Sequence, residues 1–152
     1  MRILVVEDNP AHMRVAVEII ESAGHEVLQE TDFVHGKEAL RSLPQVDGVI
    51  TDLFIPDGVF GKNGVSKEAD QPRGLGLVLV AKLCRIPCVI CTAGYHHGSK
   101  YNWICNLSRD SSFDWLHLVD SLADPEDYEI ESQEKDWKRA LNTLVRLVET
   151  KK

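Results

Sequence analysis

Three carboxylates stand at the ends of two short apolar runs in this chain. Residues 2–8 read Arg-Ile-Leu-Val-Val-Glu-Asp, and residues 48–57 read Gly-Val-Ile-Thr-Asp-Leu-Phe-Ile-Pro-Asp. Such a run is typical of a strand buried in a parallel sheet, and ligands of open α/β sheets bind beyond the carboxyl ends of the strands. The pattern therefore predicts that Glu7, Asp8 and Asp52 meet at one edge of a sheet.

Three acids at one edge repel one another unless a cation joins them or one of them is protonated. A hard divalent ion such as Mg²⁺, which binds through a few carboxylates and phosphate oxygens, is the expected resident. One acid at a strand end would be interpreted as a solvated loop residue. The adjacent pair Glu7 and Asp8, together with Asp52, favours a metal site.

The elements that must position these acids alternate between strands and helices, which indicates a parallel sheet with right-handed crossovers. Asn9 followed by Pro10 predicts the start of the first helix. The predicted strands lie near residues 2–7, 25–29, 49–53, 88–92 and 115–119, and the predicted helices near 10–23, 36–43 and 75–83. A last helix follows the i, i+3, i+4, i+7 rule through Trp137, Ala140, Leu141, Leu144, Val145 and Val148.

The chain has 152 residues and a formal net charge of −7. This length predicts one domain, residues 1–152, with a substantial core. The negative charge argues against direct nucleic-acid binding. No apolar stretch is long enough to span a bilayer, and the first residues form a strand pattern rather than a signal peptide. We therefore expect a cytoplasmic protein that acts away from membranes.

The four cysteines do not predict a metal site. Cys88 and Cys91 are three positions apart on a strand-like run, so their sulfurs are expected on opposite faces of the sheet. A zinc site would need a second pair with matching spacing, and the chain has none. Free buried thiols are the expected state.

Two segments interrupt the alternation. Residues 57–73 are polar, rich in glycine and lysine, and read as an inserted loop that is either a lid over the acids or an insertion without function. Residues 120–134 read as a solvated acidic loop. Gly74-x-Gly76 is a weak phosphate-loop signal, and a tight turn into the next helix explains it better.

The region after the fourth strand carries two further features. His96 and His97 are adjacent, but no third ligand is evident nearby, so a solvated pair is the better interpretation. The same region is rich in aromatic residues, which indicates either core packing or a partner-binding face. Trp103 is the predicted exposed anchor of such a face.

Three segments of the chain resemble receiver domains of two-component response regulators. They are Val-Val-Glu-Asp-Asn at 5–9, Thr-Asp-Leu-Phe-Ile-Pro-Asp-Gly at 51–58 and Ile-Cys-Thr-Ala-Gly at 90–94. The resemblance covers most of the chain in order and spacing. It implies a flavodoxin-like three-layer sandwich, with a five-stranded parallel sheet of order 2-1-3-4-5 and helices on both faces.

The resemblance also implies residue roles. Asp52 matches the aspartate that accepts the phosphoryl group, and Thr92 matches the hydroxyl residue that moves toward it. Asp8 matches the direct Mg²⁺ ligand, Glu7 a ligand acting through water, and the carbonyl of Phe54 the backbone ligand. The implied protein is a stand-alone switch, not a conventional enzyme, that takes its phosphoryl group from a histidine kinase or phosphotransfer protein and signals to a downstream protein by contact.

One position departs from the family pattern. Receivers carry a lysine just after the fifth strand, and here an acidic stretch follows it instead. Lys135, just before the last helix, is the nearest later candidate, with Lys100, Lys62 or no lysine as alternatives.

This departure keeps two other functions open. A degenerate receiver would bind a protein partner without phosphorylation. A small Mg²⁺ phosphatase of the haloacid dehalogenase type also uses an aspartate at a strand end, but it requires a second aspartate where Phe54 stands.

Overall fold

The computed structural model describes residues 1–42, 45–58, 71–93, 102–120 and 135–150, of which the side chains of Asn102, Cys105 and Asp120 are left out of the description. The strands are β1 (Arg2–Val6), β2 (Glu26–Glu30), β3 (Gly48–Thr51), β4 (Cys88–Thr92) and β5 (His117–Asp120). The helices are α1 (Pro10–Ser22), α2 (Phe33–Ala39), α3 (Gly74–Leu83), α4 (Asn102–Arg109) and α5 (Trp137–Glu149). A short 3-10 helix, Ser111–Phe113, precedes β5.

The five strands form one parallel sheet in the order β2-β1-β3-β4-β5. This is the predicted flavodoxin-like order, and it is confirmed. Val6 pairs with Thr51, and Thr51 pairs with Ile90, so β1, β3 and β4 end side by side. Because the strands run parallel, the carboxyl ends of these three strands lie at the same edge of the sheet.

Alternate residues of the central strands enter two separate cores. On one face, residues such as Leu4, Val49 and Ile90 pack with α2, α3 and Ile104 of α4. On the other face, residues such as Ile3, Ile50 and Val89 pack with α1 and α5. None of the helices in the described ranges combines the length and hydropathy needed to cross a bilayer.

Cys88 and Cys91 lie as predicted, whereas Cys84 is only partly buried. Cys88 belongs to one core and Cys91 to the other, so the two sulfurs are on opposite faces of the sheet. Both are free thiols. Burial raises the pKa of each thiol well above its ordinary value, which keeps both in the unreactive neutral form.

The predicted start of the second helix was wrong. α2 begins at Phe33 rather than Gly36, because Asp32 caps it by accepting a hydrogen bond from the backbone N–H of His35 at 2.9 Å. The N–H of Phe33 donates to the carbonyl of Pro56 at 2.9 Å. The start of α2 is therefore tied to the segment that follows Asp52.

Several predictions fall outside the described residues. Of the loops predicted at 57–73 and 120–134, residues 59–70 and 121–134 lie outside. His96, His97, Lys62 and Lys100 also lie outside. Trp103 is described, and its side chain is about half exposed, as predicted.

Gly74 lies directly against the backbone that follows β3. A Cβ on Gly74 would lie 2.1 Å from the Asp52 carbonyl oxygen and 2.9 Å from the Leu53 Cα. The Gly74 N–H also donates to the Leu53 carbonyl at 3.0 Å. The glycine thus lets α3 begin directly against the end of β3, which agrees with the predicted tight turn.

Gly74→Ala is expected to destabilise the protein by about 1–3 kcal/mol, because backbone atoms cannot move aside as a side chain can. Gly76→Ala is the matched control. Its Cβ would lie 2.9 Å from the ring of Phe33, whose side chain can shift, and we expect a change within about 1 kcal/mol. Urea unfolding of both variants tests this, and equal midpoints would contradict it.

Candidate functional site

The three predicted acids lie together at the carboxyl edge of the sheet. Glu7 and Asp8 directly follow β1, and Asp52 directly follows the neighbouring strand β3. One carboxylate oxygen from each lies within 4.8 Å of the others. Such close negative charges repel one another unless a cation lies between them or one acid is protonated.

The Asp52 carboxylate is buried and held at both oxygens. Its Oδ1 accepts a hydrogen bond from the Leu53 N–H at 2.6 Å, and its Oδ2 lies 2.9 Å from Lys135 Nζ. The Asp52 N–H donates to the Val6 carbonyl at 2.8 Å, which extends the sheet pairing to this residue. These contacts fix the carboxylate at the mouth of the site.

Lys135 supplies the cation. Its side chain is 2% exposed, and its ammonium donates to Glu7 Oε2 while pairing with Asp52. Burial alone would lower the pKa of Lys135, but Asp52 and Glu7 outweigh this and raise it, so the lysine stays charged. Of the lysines considered from the sequence, Lys135 is the one that the structure places in the acidic cluster within the described residues.

The start of α5 positions Lys135. Asp136 caps this helix by accepting a hydrogen bond from the Arg139 N–H at 2.9 Å. Trp137 is fully buried against the sheet, and the Lys135 ammonium lies 5.7 Å from the centre of its ring. The cap and the buried indole anchor the residues that follow Lys135. The lysine therefore reaches the acids from the segment just before α5, and not from the end of β5.

Glu7 is also fully enclosed. Its Oε1 accepts a hydrogen bond from the Asn9 N–H at 3.1 Å and lies 3.6 Å from His12 Nδ1. Burial, reinforced by Asp52 and opposed by Lys135, raises the pKa of Glu7 to about 7. Burial and Asp52 also raise the pKa of Asp8. Sequence reasoning missed His12, which lies in the first turn of α1 and contacts Glu7.

The acids face a cavity of about 220 Å³ that Asn9, His12, Phe54, Thr92, Ala93 and Lys135 also line. Asp8 is exposed at its mouth, whereas Glu7 is fully buried. Carboxylate oxygens are the donors that Mg²⁺ prefers. The three carboxylates are a donor set that fits Mg²⁺, which Asp8 and Asp52 would hold, and Phe54 lines the same cavity.

The raised pKa of Glu7 predicts how stability depends on pH. A pKa of about 7 in the folded state, against 4.5 for the free side chain, means that the folded protein binds this proton more tightly. The stabilisation is fully present below pH 4.5 and is lost as the pH rises through 7.

In a metal chelator, the unfolding free energy should therefore fall between pH 5 and pH 8 by about 1–3 kcal/mol more in the wild type than in Glu7→Gln. The comparison isolates Glu7 from His35 and His117, whose pKa values shift in opposite directions. Parallel pH profiles for the two proteins would contradict the assignment.

A parallel sheet of order 2-1-3-4-5, with clustered acids and a buried lysine at its carboxyl edge, defines a flavodoxin-like α/β protein. No protein-family model and no curated protein matches the sequence.

Solved structures specify the fold further. A response regulator receiver protein from Sinorhizobium medicae matches with a TM-score of 0.64 and 16% identity, covering 100% of this chain and 97% of that one. A CheY-like receiver domain from Methanospirillum hungatei matches at 0.57 with 18% identity, covering 98% and 94%. The receiver domain of a sensor histidine kinase from Pseudomonas aeruginosa, with a magnesium ion coordinated in its active-site cleft, matches at 0.57 with 18% identity, covering 97% of each chain. The chain therefore has the receiver-domain fold.

Proposed function

We propose that the protein is a phosphorylation-driven signalling switch that accepts a phosphoryl group on Asp52. The observation that carries this proposal is the contact of Asp52 with Lys135 beside Glu7 and Asp8, at the carboxyl edge of a receiver fold. The carboxylate has the position of a nucleophile, and the surrounding groups can balance the charge that a phosphoryl group brings.

The chemical step needs an ionised Asp52. A carboxylate oxygen attacks phosphorus, the new bond makes an aspartyl phosphate, and the bond from phosphorus to the donor's leaving group breaks. The leaving group takes its electron pair away as acetate from acetyl phosphate, or as imidazole from a phosphohistidine. The Lys135 ammonium, 2.9 Å from the Asp52 carboxylate, offers positive charge to the incoming oxygens.

Mg²⁺ bound by Asp8, Asp52 and the Phe54 carbonyl would neutralise the acids and the charge on the transferred group. The other groups belong to the chain itself. Thr92 ends β4, lines the same cavity and can donate a hydrogen bond to the phosphoryl oxygens. Lys135 can exchange its contact with Asp52 for one with the phosphoryl group.

A phosphoryl group adds roughly 1.5 to 2 negative charges and new acceptor oxygens. Lys135 directly precedes α5, and Thr92 ends β4, so their movement toward these oxygens would shift the face formed by α4, β5 and α5. Output is then by contact with a downstream protein, and the donor is a histidine kinase or phosphotransfer protein. In this role the protein is a phosphoryl acceptor and not a conventional enzyme.

The second candidate is a degenerate receiver that binds a partner without phosphorylation. The absent lysine after β5 favoured it in the sequence. The contact of Lys135 with Asp52 counts against it, because a lysine does stand beside this aspartate. The phosphatase alternative still lacks its second aspartate, since Phe54 occupies that position.

Incubation with acetyl phosphate, followed by intact mass measurement, tests the proposal. We expect a gain of one phosphoryl group that requires Mg²⁺ and is absent when the metal is chelated. A folded protein that gains no mass in the presence of Mg²⁺ would contradict the phosphoryl-acceptor function and leave the degenerate receiver.

A further inference from the structure

A second cavity lies at the opposite edge of the sheet from Asp52. It has a volume of about 720 Å³ and is lined by the starts of β4 and β5 and the ends of α3 and α5. Cavities that hold small molecules commonly enclose about 300–1,000 Å³ and combine apolar walls with a few polar groups. The apolar wall here includes Val78, Ile86, Pro87, Trp115 and Leu147.

Lys82 brings one positive charge to this cavity. Its ammonium lies 4.8 Å from the centre of the Trp115 ring, and the ion pairs of the described residues do not include it. Among the described residues, the ammonium therefore faces an aromatic ring and not a carboxylate. A ligand anion could approach Lys82 while its apolar body packs on Trp115.

Arg85 brings a second positive charge in a costly backbone conformation. It has φ of 60°, in the left-handed region just after α3, where glycine is the usual residue. The N–H groups of Arg85 and Ile86 donate to carbonyls of the last turn of α3, which fixes this geometry. A cationic residue that lines the cavity therefore occupies a position where glycine would be less strained.

The formal charges of the described lining residues sum to +1. Burial lowers the pKa of His117 despite the nearby Asp114, so its imidazole is neutral at pH 7. Asp114 supplies one negative charge against the two from Lys82 and Arg85. This local balance is opposite in sign to the chain, which carries −7.

We propose that this cavity is a binding site for a small amphipathic anion, with a flat apolar body that packs on Trp115 and one carboxylate, sulfonate or phosphate group that meets Lys82 and Arg85. The site is separate from the acid cluster, since it lies at the amino ends of the strands.

The dye 1-anilinonaphthalene-8-sulfonate has this chemistry and reports binding by fluorescence. We expect saturable binding at one site per folded chain, with Kd on the order of 10–100 µM. The double variant Lys82→Gln/Arg85→Gly should weaken binding at least about tenfold, as expected for the loss of two charge contacts. Because glycine suits φ of 60°, its urea midpoint should equal or exceed that of the wild type.

Two controls separate this site from general dye binding. Lys37→Gln removes a lysine that lies over another ring, that of Phe33, away from the cavity, and should leave the affinity unchanged. The neutral analogue N-phenyl-1-naphthylamine should bind more weakly than the dye. Equal affinity of the two compounds, or of the double variant and the wild type, would overturn the proposal. Binding of an acidic, leucine-bearing peptide to this face without binding of the dye would assign it to a protein partner and also overturn it.

Discussion

Asn in place of Asp52 should abolish phosphoryl incorporation from acetyl phosphate, because an amide cannot attack phosphorus as a carboxylate does. The fold should persist. Asn can still accept the hydrogen bond from the Leu53 N–H, and it removes one of three clustered negative charges. Intact mass after incubation with Mg²⁺ measures the loss directly, and urea unfolding verifies that the variant is folded.

Asp57→Asn is the matched control, since it removes another acid that follows the same strand. Asp57 is partly exposed and pairs with Arg73 at 3.5 Å. An exposed pair contributes less than about 1 kcal/mol to stability, so Asp57→Asn should leave the fold and the site intact. The rate of phosphoryl incorporation should therefore stay within about threefold of the wild type. Equal loss in both variants, or incorporation that survives in Asp52→Asn, would contradict the assignment of Asp52 as the acceptor.

Lys135→Ala should destabilise the protein by about 2–4 kcal/mol at pH 7.5 in the absence of metal. Removing one member of a buried ion pair leaves an uncompensated charge and costs about 3–5 kcal/mol. Protonation of Glu7, whose pKa is about 7 even beside Lys135, offsets part of this cost. Urea unfolding with a chelator present gives the value.

A control variant and added Mg²⁺ test whether the charge of Lys135 causes this loss of stability. Lys138→Ala removes an exposed lysine from the same helix, α5, and should change stability by less than about 0.5 kcal/mol. Mg²⁺ should restore part of the stability lost in Lys135→Ala, because it supplies positive charge to the same acids. A Lys135→Ala variant as stable as Lys138→Ala would show that the ammonium does not balance Glu7 and Asp52.

The acids and the sheet could be predicted from the sequence because their signals are local. Glu7, Asp8 and Asp52 each end an apolar run, and the parallel sheet then brings strand ends to one edge. The order of the strands came from the resemblance to receivers, since short apolar runs do not by themselves specify which strands are neighbours.

Lys135 could be suspected but not assigned. Its contact with Glu7 joins residues 128 positions apart, and residues 121–134 separate it from β5, where the family pattern places the lysine. The start of α2 was missed although Asp32 is a residue type that commonly caps helices. The second cavity had no local signal, because Lys82, Arg85 and Trp115 come from segments that only the tertiary fold brings together.

The location of the phosphoryl group is the most direct test of the central claim. Borohydride reduces an aspartyl phosphate to homoserine, which peptide mass mapping identifies at a single position. After incubation of the wild type with Mg²⁺ and acetyl phosphate, we predict homoserine at position 52. Homoserine at another aspartate, or none in a protein that has gained a phosphoryl group, would contradict the account.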